Sequence, residues 1–105
     1  MRHRTFLGAT IVHGDEMLTQ ACSVRDWSDH GAKLEAPPLP VLPPTFWLLD
    51  RRSPVALECR IVWRREALLG VEFTDRRDLA GATNPRLVLL HDIWKENAPR
   101  AWSVR

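Results

Sequence analysis

Between Pro54 and Thr74 apolar and polar residues alternate with a period of two. Val55, Leu57, Cys59, Ile61 and Trp63 fall on one side, and Ala56, Glu58, Arg60, Val62 and Arg64 on the other. A half-buried antiparallel strand has this pattern, because successive side chains leave opposite faces of a sheet. Residues 64–67 make a short connection, after which Leu69, Val71 and Phe73 resume the inward face and complete a hairpin. Upstream, residues 5–13 and 17–25 pair around His13-Gly14-Asp15-Glu16, and Ala32-Lys33-Leu34-Glu35-Ala36 forms a further short strand. Residues 45–50 form another, ended by Asp50-Arg51-Arg52-Ser53-Pro54. Six strands joined by short turns predict an all-β fold, a small six-stranded antiparallel β-barrel spanning about residues 5–74.

The strand at 45–50 breaks the alternation. Phe46, Trp47, Leu48 and Leu49 put large apolar groups on both faces, so one face fills the barrel and the other needs a cover. A C-terminal helix over about 85–97 offers one. Asn84 is a good N-cap, and Pro85 suits the first helical position, where its missing N–H costs little. Leu87, Leu90 and Trp94, flanked by Leu89 and Ile93, form a broad apolar stripe, and Asn97 and Pro99 mark the expected end. So short a helix is marginal alone. Its stripe docks either on the chain's own barrel or on a partner chain.

Composition narrows the function classes. The 105 residues are read as a single domain, 1–105, with room for one core. A net charge of +2 does not point to a nucleic-acid polymer. The longest apolar run, Leu87-Val88-Leu89-Leu90, is far short of a membrane span. Residues 2–12 mimic a signal peptide without a cleavage site, so a cytoplasmic protein is expected. Cys22 and Cys59 lie on inward-facing strand positions and are expected as buried reduced thiols. The four histidines share no motif, so no metal site is expected. No nucleophile–base pair is visible, which argues against an enzyme and its cofactors. The proline-rich stretch 37–44 reads as a stiff connector. The arginine pairs 51–52, 64–65 and 76–77 fall at strand ends and read as solvated charges, able to form a basic rim near a phosphate.

Asp26-Trp27-Ser28-Asp29-His30-Gly31 carries the chemistry. It is a D-x-S-x-x-G turn between two strands. The carboxylate accepts from N–H donors, the hydroxyl donates to an oxygen, and the glycine lets backbone amides come close to a ligand. In the plainer reading it is a tight turn in which Asp26 and Ser28 bond their own backbone and Gly31 supplies a positive φ.

Three segments in order, this turn with Gly31-Ala32-Lys33-Leu34, the strand Cys59-Arg60-Ile61-Val62-Trp63-Arg64, and Leu69-Gly70-Val71-Glu72-Phe73, resemble the PilZ domain, the bacterial receptor module for cyclic di-GMP. The resemblance implies a six-stranded barrel and a cyclic di-GMP ligand held by Asp26, Ser28 and Gly31. It also implies an R-x-x-x-R motif before the first strand, whose guanidinium groups fork onto guanine edges and phosphates. Arg2 and Arg4 stand in that region, but Phe6 follows Arg2 by four positions and Gly8 follows Arg4 by four, so the motif is incomplete. Arg2 and Arg4 are therefore candidates for one guanidinium each. Trp27 occupies a variable position of the turn and is read as a core or barrel-mouth anchor rather than a stacking platform. The leading expectation is a cyclic di-GMP-binding signalling module whose surface changes on binding. The alternative is a degenerate PilZ-like adaptor that no longer binds the ligand and acts through protein contacts, by its basic rim or its helix. A nucleic-acid-binding small barrel is the third and weakest reading.

Overall fold

The computed structural model describes residues 3–37 and 42–103, with side chains over 8–37 and 42–96. Six strands precede one helix: β1 (His3–His13), β2 (Leu18–Trp27), β3 (Gly31–Glu35), β4 (Thr45–Asp50), β5 (Val55–Arg65), β6 (Leu68–Asp78) and α1 (Pro85–Ser103). They close into a barrel in the order β1-β2-β3-β6-β5-β4. Every neighbouring pair is antiparallel, and β1 pairs with β4 to seal the barrel. Closure gives every strand a hydrogen-bonded neighbour on both sides over part of its length.

The alternation read from the sequence fills the interior. Ala9, Ile11, Cys22, Leu34, Phe46, Leu48, Cys59, Leu69 and Val71 form one buried cluster. A second cluster lies on the outer side of β1 and β4, where Val12, Leu49 and Ala56 bury against Leu79 and Leu90, with Trp47, Leu87, Ile93 and Trp94 packed around them. The helix thus covers the outward half of Phe46-Trp47-Leu48-Leu49, and the chain's own barrel is its partner. Fully burying a leucine such as Leu90 contributes about 1.5–3 kcal/mol. Asn84 caps the helix, its side-chain oxygen accepting from the Arg86 N–H at 2.9 Å and the Leu87 N–H at 3.4 Å. The Trp94 indole N–H donates to the Asp50 carbonyl at 2.7 Å, tying α1 to the β4–β5 turn.

Two expectations need correction. The helix does not end near Asn97 but continues to Ser103. Pro99 removes one N–H donor, while residues before and after it keep theirs. Trp63 does not face inward: it is 44% exposed. The register of β5 against β6 shifts between Ile61 and Trp63, so Val62 is an extra residue in β5. Such a bulge inverts the alternation beyond it. Trp63 pairs with Gly70, next to the inward Val71, and so turns outward. Residues 38–41 of the proline-rich connector lie outside the described residues. Among the described residues no helix is long and apolar enough to cross a membrane.

Candidate functional site

The D-x-S-x-x-G turn joins β2 to β3 and is closed by its own backbone. The Ser28 N–H donates to the Gly31 carbonyl at 2.8 Å, and the His30 N–H reaches the Ser28 hydroxyl oxygen at 3.3 Å. The hydroxyl accepts here, which leaves its proton able to donate outward. The Phe73 N–H donates to the His30 carbonyl at 2.8 Å and fastens the turn to β6.

Gly31 does not have the positive φ of the plainer reading, since Gly14 and Gly81 are the glycines in that region. Glycine is needed at position 31 for a different reason. A Cβ there would collide with the Val71 carbonyl oxygen of the neighbouring strand. Any side chain would force β3 and β6 apart.

The strand register carries the site further across the barrel wall. Arg4 of β1 is opposite Asp26, Asp26 is opposite Lys33, Lys33 is opposite Gly70, and Gly70 is opposite Trp63. One transverse row of paired positions thus crosses five strands, and from Asp26 to Trp63 it lies on the outer face. Asp26 is only 8% exposed, and its carboxylate sits 3.1 Å from the Lys33 ammonium. At the far end Gly70 leaves room for the Trp63 indole, which occupies the space a side chain at 70 would take. Asp26, Ser28, Gly31, Lys33 and Trp63 all line one cleft of about 200 Å³. The cleft offers an acceptor, a donor, a cation and an aromatic ring.

Behind the turn the barrel mouth opens into a larger cavity of about 750 Å³, with apolar walls from Ala9, Val24, Leu48, Leu57 and Phe73. Trp27, Ser28 and Ala32 border both spaces, so the turn is the wall between them. Trp27 stands at the mouth, as expected for an anchor. The Arg52 guanidinium lies 5.4 Å from its ring centre and grips both oxygens of Asp50 at 2.7–3.1 Å. That hydrogen bonding raises the Arg52 pKa above its ordinary value.

The structure therefore brings Asp26, Ser28 and Gly31 into one cleft and places the Arg4 backbone beside Asp26. Arg2 lies outside the described residues. Lys33 and Trp63 were not singled out from the sequence as site residues. Counting back from the two-residue connection Glu66-Ala67 places Trp63 opposite Gly70, and that count is a signal the sequence does contain. Lys33 has no such signal, because its pairing with Asp26 depends on the irregular register between β2 and β3. Among the described residues no group of acidic, histidine or cysteine side chains could hold a metal ion.

A family model described as PilZ domain matches residues 1–83. No curated protein matches the chain significantly.

Proposed function

The chain belongs to the PilZ domain family, and we propose that it is a cyclic di-GMP receptor module of the cytoplasm that binds the dinucleotide across the outer row of the barrel. The observation that carries this reading is the meeting of Asp26, Ser28, Gly31, Lys33 and Trp63 at a single cleft. A cyclic dinucleotide presents guanine N–H donors, phosphodiester oxygens and purine faces. The Asp26 carboxylate accepts from a guanine edge, the Ser28 hydroxyl donates to an oxygen, and the Lys33 ammonium meets a phosphate. The Trp63 indole gives a purine a stacking face. The cleft is too small to enclose the whole ligand, and Arg4, whose backbone lies beside Asp26, and Arg2 are the candidates for guanidinium contacts beyond it.

In the free protein Asp26 and Lys33 form an ion pair. Ligand binding exchanges this pair for two contacts to the nucleotide, Asp26 to guanine and Lys33 to phosphate. The exchange avoids burying either charge unpaired, which would be strongly unfavourable.

Isothermal titration calorimetry with cyclic di-GMP tests the reading. Binding is expected, and Asp26→Ala and Ser28→Ala are each expected to weaken it by about ten- to a hundredfold, the worth of one charge-assisted hydrogen bond. The absence of both heat and chemical-shift change at millimolar ligand would overturn the receptor reading and leave an adaptor that acts through protein contacts.

A further inference from the structure

Arg51 lies between two residues that are firmly held. Asp50 takes the Trp94 indole N–H on its carbonyl and the Arg52 fork on its carboxylate. Arg52 is fixed by the same fork and by its own N–H to Asp50 at 2.9 Å. The Arg51 side chain runs over the outer face of β1 and ends above Gly8. Its Nη1 atom is 2.6 Å, and its Cζ atom 3.2 Å, from the point where a Cβ on Gly8 would sit. The guanidinium thus fills the space of a side chain at position 8.

No described side chain neutralises this guanidinium. Among the described residues it pairs with no carboxylate, and its Nε is buried with no hydrogen-bond partner. Its charge reaches the Cys22 thiol, where it opposes the effect of burial. It also borders a shallow cleft of about 640 Å³ shared with Gly8, Gln20, Ser23 and Glu35, the last paired with Arg25. A guanidinium on the wall of a cleft, with no carboxylate partner among the described residues, is suited to an anion. Gly8 is opposite Ser23, three positions along β2 from Asp26, a separation of about 10 Å. A ligand of two nucleotides spans that distance, whereas a lone phosphate does not.

We propose that Arg51 is a ligand-binding guanidinium, reaching from the β4–β5 turn to the place above Gly8 and taking a phosphodiester of the dinucleotide bound at Asp26. The inference rests on the receptor reading. It gives the barrel wall a cation that the N-terminal segment does not encode at position 8.

The test is calorimetry with cyclic di-GMP on the full chain, with melting temperatures measured alongside. Arg51→Ala is expected to weaken binding by about tenfold or more and to lower its dependence on salt, with an unchanged melting temperature. Gly8 lacks a positive φ, so another residue fits its backbone once Arg51 no longer fills the space. The double variant Gly8→Arg with Arg51→Ala is therefore expected to regain most of the affinity. Wild-type-like binding by Arg51→Ala would overturn this inference and leave the receptor reading standing. A folded double variant that does not recover would also overturn it, by showing that Arg51 acts only through packing. If the natural sequence itself bound nothing, the receptor reading would fail first and this inference with it.

Discussion

At the scale of single residues, two glycines decide where the site can form, and both do so through lack of space. Gly31 lets β6 approach until the Val71 carbonyl stands where a Cβ would be, and Gly70 gives its side-chain space to the Trp63 indole. Backbone cannot swing aside as a long side chain can. Gly31→Ala is therefore expected to destabilise the fold by about 1–3 kcal/mol, the usual range for overpacking, read as a lower urea midpoint. An unchanged midpoint would show that β3 and β6 are not so close. The motif in the sequence identified Gly31 correctly but pointed to the wrong cause. A D-x-S-x-x-G pattern suggests a turn glycine with positive φ, while the collision comes from a strand forty residues away in sequence. Ser28 was legible because its bonds are local, and Asp26 because it stands in the same short motif. Lys33 and Arg51 were not, because nothing near them in sequence says which strand they will meet.

At the scale of elements, β5 and α1 show how far periodicity reaches. The alternation of β5 correctly places Val55 and Cys59 in the barrel core. It fails beyond Ile61, because one extra residue in a strand leaves no mark on the apolar pattern while inverting every face after it. For α1 the start was legible from Asn84 and Pro85, whose capping chemistry is local. The end was not, since a proline signals a break that the fold does not take. The apolar stripe and the two-faced strand at 45–50 are complementary, and the structure joins them through Leu90, which is fully buried. Leu90→Ala is expected to cost about 2–5 kcal/mol by leaving a cavity. Leu89→Ala, at a position 52% exposed, is expected to stay within about 0.5 kcal/mol of wild type. Equal melting temperatures for the two variants would refute the docking of α1 on β1 and β4.

For the molecule as a whole, closure of the barrel matters more than any one contact. Which strands become neighbours across the closure, β3 with β6 and β1 with β4, follows from register around the ring and cannot be read along the chain. What could be read is that Cys22 and Cys59 face inward, and both are buried free thiols. Burial pushes the Cys22 thiol from its ordinary 9.0 up to about 12, with the Arg51 charge opposing. Burial pushes Cys59 up as well, aided by the nearby Cys22 thiol. The folded barrel therefore holds these protons at a pH where the unfolded chain has released them. Below pH 9 both states are protonated and the stability is fully present. As pH rises from 9.0 through about 12 the unfolded state is increasingly favoured, at about 1.4 kcal/mol per pH unit for each such thiol. Urea midpoints should thus fall between pH 8.5 and pH 10.5. Cys22→Ala should show a shallower fall, whatever its absolute stability, because the slope reports protons rather than packing. Parallel slopes in the two proteins would mean that Cys22 does not keep its proton in the folded state, and that the barrel admits enough water at that level to solvate a thiolate.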